Sequence, residues 1–182
     1  MDAPIISVIT VCYNVASSIE KTMLSVLNQT YKNLEYIIID GNSTDGTVDI
    51  IKRYAERLTF WISEPDNGIY DAMNKGIVKA TGEFLIFMNA GDQFLNDKVL
   101  SKCLPYFLQE IDVISGIGYL SGQKWIPAKA SDLSVAFFLK RSLNHQATFI
   151  NRKLFQDNLY RTDLKIVGDS VFFFQALIMD NA

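Results

Sequence analysis

The chain has 182 residues, of which 49% are apolar and 20% charged, a composition typical of one soluble globular domain. This composition excludes collagen-like, disordered and coiled-coil chains. The net charge of −3 argues against a nucleic-acid partner bound through a basic face. No apolar run approaches the roughly 20 residues that span a bilayer, and the first residues lack the order of a secretion signal. We therefore expect a cytoplasmic protein, with Cys12 and Cys103 as free thiols in apolar surroundings.

Strands and helices are predicted to alternate along the first half of the chain. Continuous β-branched runs predict strands buried on both faces, and apolar residues at helical spacing predict the helices between them. The predicted strands span residues 5–13, 34–39, 58–62 and 83–88, and the predicted helices span 17–29, 47–57 and 69–80. Ser17 and Glu20 have the spacing of a capping box. Three strand-helix units predict a doubly wound α/β domain, because right-handed crossovers place helices on both faces of a parallel sheet.

The pattern is weaker beyond residue 92. We expect helices at 99–107, 132–143 and 169–179, short strands at 112–117 and 147–150, and a turn at 121–122. Neither a strong cap nor a strand follows the last predicted helix before Ala182, which leaves room for a further C-terminal segment.

Polar residues stand where three of the predicted strands end. In an open parallel sheet, ligands bind beyond the carboxyl ends of the strands. Strand one ends at Tyr13, strand two at Asp40, and strand four runs into Asn89 and Asp92. A single aspartate there is equally well explained by turn chemistry, but two at successive strand ends favour a ligand site. Such oxygens suit Mg²⁺ or Mn²⁺ shared with substrate phosphates. The chain contains no dinucleotide fingerprint, P-loop or nucleophile elbow.

Four stretches carry a resemblance to a known family: ISVITVCYN, NQTYKNLEYIIIDGNSTDGT, SEPDNGIYDAMNKGIVKATGEF and FMNAGD. In order and spacing they resemble the family 2 inverting glycosyltransferases of GT-A fold. The resemblance is specific from Ile5 to Asp92 and thinner from His145 to Asp169. It implies one Rossmann-like GT-A domain, with a nucleotide-sugar half at 1–95 and an acceptor half at 96–182. It also implies transfer from a nucleotide-diphospho-sugar, usually a UDP-sugar, to a glycan or lipid-linked acceptor with Mg²⁺ or Mn²⁺.

The same resemblance implies roles for individual residues of the donor half. Tyr13 would line the nucleobase pocket, Asp40 would contact the base or ribose, and Asp92 would bind the metal. Asp66 lies in a segment that the family places beside the nucleotide. Asn74 fits the family's Arg-Asn-x-Gly segment and would bind the donor.

Three positions depart from the family pattern. Gly41 stands where many members have a second acid, Gly91 stands within what is usually Asp-Ala-Asp-Asp, and Met73 replaces the arginine before Asn74. These departures concern the identity of the base, the affinity for metal and the contacts with phosphate, in that order.

Asp169 is the predicted catalytic base, since the family places a carboxylate before a late apolar helix. It would take the proton from the acceptor hydroxyl as that oxygen attacks the anomeric carbon, in a single displacement that inverts configuration. An ordinary helix N-cap is the alternative explanation for this aspartate. The only histidine, His145, is expected near the pyrophosphate or the acceptor, or else as an ordinary hydrogen-bonded side chain.

Two other functions stay open from the sequence. A sugar nucleotidyltransferase also needs an α/β sheet, carboxylates and a metal, but it usually carries a glycine-rich basic loop after strand one. A non-catalytic nucleotide-sugar-binding module would suit glycine at positions 41, 91 and 168. The phenylalanines at 137–138 and 172–174 favour core packing over membrane contact, and peripheral association with the inner face of a membrane stays open.

Overall fold

A six-stranded, mostly parallel sheet forms the centre of the computed structural model, which describes residues 3–180. The strands are β1 (Ile6–Cys12), β2 (Leu34–Asp40), β3 (Phe60–Ser63), β4 (Phe84–Phe87), β5 (Val113–Ser115), β6 (Gly118–Leu120), β7 (Gln123–Trp125) and β8 (Thr148–Asn151). The sheet order is β3-β2-β1-β4-β8-β5, and β6 and β7 form a separate ribbon. Strands β1 to β4 are parallel, whereas β8 is antiparallel to both β4 and β5.

The strand order reverses at β1, which lies between β2 and β4. In a doubly wound sheet this reversal opens a crevice at the carboxyl ends of the strands, where ligands bind. Because β8 is antiparallel to β4, pairing Ile150 with Leu85, the residues that precede β8 lie beside the residues that follow β4. The topology thereby brings the second half of the chain to the crevice.

Helices cover both faces of the sheet. They are α1 (Ile19–Leu27), α2 (Thr47–Arg53), α3 (Ile69–Lys79), α4 (Val99–Phe107), α5 (Val135–Phe138) and α6 (Gly168–Phe174). Short 3-10 turns occur at Ala55–Arg57, Ala130–Asp132, His145–Ala147 and Arg152–Phe155, and a π turn at Gln175–Met179 follows α6.

The core has two layers, one on each face of the sheet. Alternate residues of β1 divide between them, with Ile6 and Val8 on one side and Ile9 and Val11 on the other. The first layer packs against α1, α2 and α4, and the second against α3 and α6. This alternation explains why apolar residues occupy both faces of the parallel strands.

Helix α3 lies unusually close to the sheet. A Cβ placed on Gly76 would lie 2.5 Å from Cγ2 of Ile9, so only glycine permits this approach. Glycine at position 76 thus allows α3 to pack directly against β1.

The predicted strand-helix units of the first half are confirmed, with shifts at their ends. The helix predicted at 132–143 is wrong: Leu133 is extended between the 3-10 turn and α5, and Ser134 begins the new helix by accepting a hydrogen bond from Phe137 N at 3.2 Å. The predicted capping box is also wrong. Helix α1 begins after Ser18, which makes no side-chain cap bond and instead donates its hydroxyl to Val15 O at 3.4 Å.

Other expectations concern individual side chains. Cys12 and Cys103 are free, as predicted. Phe172 and Phe173 are buried in the core, as predicted, whereas Phe137 is half-buried. Between residues 3 and 180, no helix is both long and apolar enough to cross a bilayer.

Candidate active site

The loops that follow β1 and β2 are joined by side-chain hydrogen bonds, which shape one wall of the crevice. Asn14 has a left-handed backbone (φ 52°), and its N–H donates to Ser43 Oγ at 2.7 Å. Thr44 N in turn donates to Asn14 Oδ1 at 2.9 Å. Asp45 Oδ2 accepts from Ala16 N at 2.9 Å. The segment GNSTDGT therefore holds the two loops together.

Asp40, at the end of β2, is completely buried beneath these loops. Its Oδ2 accepts hydrogen bonds from Ser43 N at 2.9 Å and from Ser63 Oγ at 2.6 Å. The carboxylate thus ties β3 to the loop after β2. Its predicted contact with the base or ribose stays a prediction.

The carboxylate of Asp66 lies over Gly41 and beside the ring of Tyr13. A Cβ on Gly41 would lie 2.5 Å from Asp66 Oδ2 and 3.4 Å from Tyr13 Cδ2. Asp66 Oδ1 accepts from Gly68 N at 2.8 Å, whereas no hydrogen bond from residues 3–180 reaches Oδ2. The Tyr13 side chain is 63% exposed. An open aromatic face and an unpaired carboxylate oxygen therefore stand side by side, and glycine at 41 makes room for the oxygen.

A second cluster lies between the carboxyl end of β4 and the 3-10 turn that precedes β8. His145 Nδ1 is 2.8 Å from Asp169 Oδ2, and His145 Nε2 is 3.3 Å from Asn89 Nδ2. Asp92 N donates to Asn89 O at 2.9 Å, which places Asp92 next to these residues. The antiparallel pairing of β8 with β4 thus brings the predicted metal ligand and the predicted base into one hydrogen-bonded group.

The folded structure shifts the pKa values of the two carboxylates, Asp92 and Asp169, in opposite directions. Burial raises the pKa of Asp92. Burial would also raise the pKa of Asp169, but the hydrogen bonds that its carboxylate accepts from His145 and Tyr70 outweigh this effect, so the pKa of Asp169 is lowered. The Asp169 carboxylate is therefore ionised at neutral pH, and a hydrogen bond holds each of its two oxygens.

Tyr70 is a site residue that the sequence analysis did not identify. Its hydroxyl accepts a hydrogen bond from Gly168 N at 2.8 Å and donates to Asp169 Oδ1 at 3.1 Å. Tyr70 lies on the buried face of α3, where apolar periodicity accounts for it fully. The sequence contained one indication of this role of Tyr70, which is the glycine at position 168, where the family often has an acidic residue.

Asn74 lies apart from the other predicted donor residues. Its Nδ2 donates to Tyr160 O at 2.8 Å, and its Oδ1 accepts from Tyr160 N at 3.0 Å. The side chain therefore ties α3 to the segment before α6. Its predicted contact with the donor stays a prediction.

Two cavities adjoin the Asp92 and Asp169 cluster. One of about 540 Å³ opens beside Asp92, between Gly91, Gly116, Asn144 and Gln146. The other, of about 510 Å³, lies along α6 and is mostly apolar; its lining includes Val135, Phe138, Arg141, Val167, Ser170 and Phe174. Both volumes suit small ligands.

The part of the chain that the structure describes holds no group of three or more His, Cys, Asp or Glu residues that could bind a metal ion alone. Asp92 is the one carboxylate at the end of β4, and the buried Oδ1 of Asn89 has no hydrogen-bond partner among the described residues. This donor set fits an ion that takes its other ligands from substrate phosphates and water.

Comparisons with known proteins agree with this geometry. The model of the family "Glycosyl transferase family 2" matches residues 7–179. An uncharacterised glycosyltransferase of Mycobacterium tuberculosis is 32% identical over 97% of this chain and 70% of its own length. A PGL/p-HBAD biosynthesis glycosyltransferase of the same species is 34% identical over 85% of this chain and 62% of its own length.

Solved structures share the fold. S. aureus TarS in complex with UDP superposes with a TM-score of 0.78 at 21% identity, over 94% of this chain and 54% of that one. The mannosyltransferase PcManGT from Pyrobaculum calidifontis, in complex with GDP-Man and Mn²⁺, superposes with a TM-score of 0.76 at 23% identity, over 97% and 52% of the two chains. The predicted family, enzyme class and fold are thereby confirmed: this chain belongs to glycosyl transferase family 2 and has the GT-A fold.

Proposed function

We propose that this domain transfers a sugar from a UDP-sugar to a hydroxyl group of a glycan or lipid-linked acceptor, by a single inverting displacement that uses Mg²⁺ or Mn²⁺. The observation that carries the proposal is the contact of 2.8 Å between His145 and Asp169 in the cluster that also contains Asp92. The cluster would provide an ionised base, Asp169, and a metal-binding carboxylate, Asp92, at the same end of the sheet.

The surroundings of Asp66 support uracil as the base. A nucleobase can stack on the open ring of Tyr13, next to the unpaired Oδ2 of Asp66. One acceptor oxygen matches the single ring N–H of uracil. Cytosine presents an acceptor nitrogen at that position. Guanine offers two donors side by side, which suit a carboxylate with both oxygens facing the nucleobase, whereas Oδ1 here faces Gly68 N. The UDP bound to the TarS neighbour agrees with this choice.

Asp92 is the proposed metal ligand, with the donor diphosphate completing the coordination. The orphaned Oδ1 of Asn89 supports a polar ligand in this place. A bound divalent ion supplies positive charge that offsets the charge developing on the leaving diphosphate. The Mn²⁺ in the mannosyltransferase complex supports this part of the proposal. Asp40 is proposed to support the donor pocket, since its side chain ties the loop after β2 to β3, whereas the Asn74 side chain holds the backbone of Tyr160.

Asp169 is the proposed general base. The acceptor oxygen forms a bond to the anomeric carbon, the bond from that carbon to the diphosphate oxygen breaks, and the hydroxyl proton passes to the Asp169 carboxylate. His145 and Tyr70 hold that carboxylate from two sides. The nucleoside diphosphate leaves with both electrons of the broken bond.

The acceptor is proposed to approach along α6. Val167 and Ser170, which flank the base in the sequence, line the apolar cavity there. An apolar wall suits the apolar part of a lipid-linked acceptor. An acceptor of this kind would place the enzyme at the cytoplasmic face of a membrane.

Calorimetric titration of UDP, GDP and CDP with and without Mn²⁺ tests the donor site. UDP should bind most tightly, and only with Mn²⁺ and an intact Asp92. Asp92→Asn should lose the metal-dependent part, whereas Asp97→Asn, at an exposed carboxylate of the same loop, should bind as the wild type does.

Turnover separates the proposed transferase from its rivals. Release of UDP from a UDP-sugar on addition of an acceptor supports transfer, and Asp169→Asn should abolish it while UDP still binds. Formation of pyrophosphate from UTP and a sugar phosphate would instead show a nucleotidyltransferase. Binding of UDP-sugar without turnover of any acceptor would favour a non-catalytic module.

A further inference from the structure

We propose that Tyr70 is a positioning residue that aims the Asp169 carboxylate at the acceptor. This inference rests on the proposed function only in taking Asp169 as the base. It adds a residue from the donor half of the chain to the machinery of the acceptor half.

The direction of each hydrogen bond follows from chemistry alone. Gly168 N can only donate, so the Tyr70 oxygen accepts from it at 2.8 Å. The phenol hydrogen is then free to point to Asp169 Oδ1, 3.1 Å away, and the ionised carboxylate can only accept. The Gly168 amide thereby orients the hydroxyl, and the hydroxyl orients the base. His145 holds the other oxygen, so the carboxylate cannot rotate without losing one of the two bonds.

The backbone around Gly168 is shaped to fit the ring of Tyr70. A Cβ on Gly168 would lie 2.7 to 2.9 Å from three atoms of that ring. Val167, immediately before, has a left-handed backbone (φ 66°), which is an outlier for a β-branched residue. Strain of this kind persists where the surrounding structure demands it, and it gathers at functional sites. The ring therefore occupies the space that an acidic side chain at 168 would need.

Tyr70 also connects the base to the donor pocket. It is the second residue of α3, and the loop leading into α3 contains Asp66, whose Oδ1 accepts from Gly68 N. Asp66, which is proposed to bind the nucleobase, and Tyr70, which is proposed to orient the catalytic base, are thus four residues apart in the sequence. The contact of Gly76 with Ile9 packs the helix that carries Tyr70 against β1.

Tyr160 provides a matched control. Its ring centroid is 5.6 Å from that of Tyr70 in the same aromatic cluster, and both side chains are buried. Its hydroxyl, however, makes no hydrogen bond with any described residue. Each tyrosine-to-phenylalanine substitution removes one hydroxyl group from this cluster, but only the hydroxyl of Tyr70 contacts Asp169.

The test compares Tyr70→Phe with Tyr160→Phe. Tyr70→Phe should bind UDP as tightly as the wild type but lower kcat about tenfold or more, the size expected for loss of a hydrogen bond to a charged group. The acidic limb of its kcat–pH profile should move to higher pH, because the hydrogen bond that is present in the wild type lowers the pKa of Asp169. Tyr160→Phe should keep the wild-type kcat and pH profile. Gly168→Ala should reproduce the loss of kcat, since its methyl group displaces the ring.

Three results would overturn the inference. Wild-type kcat and pH profile in Tyr70→Phe, with Asp169→Asn inactive, would leave the proposed function intact and remove Tyr70 from it. Equal losses in Tyr70→Phe and Tyr160→Phe would show general loosening of the aromatic cluster. Transfer by Asp169→Asn would refute the proposed base and with it the role of Tyr70.

Discussion

His145 Nδ1 lies 2.8 Å from Asp169 Oδ2, although 24 residues separate the two along the chain. The ionised carboxylate only accepts, so the hydrogen of the imidazole is on Nδ1. The other ring nitrogen, Nε2, then accepts from Asn89 Nδ2 at 3.3 Å. The hydrogen bonds from Asn89 to His145 and from His145 to Asp169 thus have consistent donors and acceptors.

Removing this imidazole should weaken the base in two ways. His145→Ala should lower kcat by about 100-fold, a size known for misplacement of a reacting group by about 1 Å. The imidazole lowers the pKa of Asp169, so that pKa should rise in the variant, and the base should become protonated at a higher pH. The acidic limb of kcat, measured at saturating donor, should therefore move upward.

His145→Gln is the control for this variant, because its amide can still donate to Asp169. It should recover part of kcat and return the acidic limb toward its wild-type position. An acidic limb that stays unchanged in His145→Ala would contradict the pairing.

We expect the ionised carboxylate of Asp92, the proposed metal ligand, to lower the free energy of unfolding. Burial raises its pKa, so the ionised form that is present at neutral pH is disfavoured in the folded protein. Asp92→Asn should therefore raise the free energy of unfolding at pH 7 by roughly 0.5–2 kcal/mol without metal, as is common for functional residues. Urea denaturation of wild type, Asp92→Asn and Asp97→Asn measures this, and only Asp92→Asn should gain. A loss of stability would show that the carboxylate is needed by the fold.

Gly41 and Asp66 should behave as a coupled pair. Gly41→Asp should weaken UDP binding by about tenfold or more, because its Cβ would meet Asp66 Oδ2 at 2.5 Å and displace the oxygen that reads the base. In the double variant Gly41→Asp/Asp66→Gly the space is free, and the new carboxylate can replace the old one. UDP affinity should then recover.

A thermodynamic cycle of the two single variants and the double variant measures this coupling by calorimetry. Asn67→Gly, at the exposed neighbour of Asp66, is the control for added flexibility in the loop. Simple addition of the two single losses in the double variant would refute the proposed exchange of carboxylates.

Gly76→Ala should test the close contact of α3 with β1. The added methyl group would lie 2.5 Å from Ile9 Cγ2, so the variant should lose about 1–3 kcal/mol of unfolding free energy. Val78→Ala, at a 71% exposed position of the same helix, should change it by less than about 0.5 kcal/mol. Equal stability of the two variants in thermal or urea denaturation would contradict the contact.

Local sequence patterns predicted the first half of the fold well. The strands β1, β2 and β4 are buried on both faces, and a run of β-branched residues reports that burial without knowledge of the partner. The same patterns failed between residues 132 and 143. There the side chains of α5 are half-buried or exposed, so periodicity carried little information and the backbone at Leu133 interrupted the helix.

The sequence by itself determined the α/β architecture, the positions of the strand ends and the candidates Asp92, His145 and Asp169, because each depends on local periodicity or on a motif. Only the tertiary structure decided which of these residues meet. Tyr70 and Asp169 are 99 residues apart and are joined by the packing of α3 against α6 in one core layer. Gly41 and Asp66 meet because β2 and β3 are neighbours in the sheet. Such contacts arise from strand order and close packing, neither of which any short stretch of sequence contains.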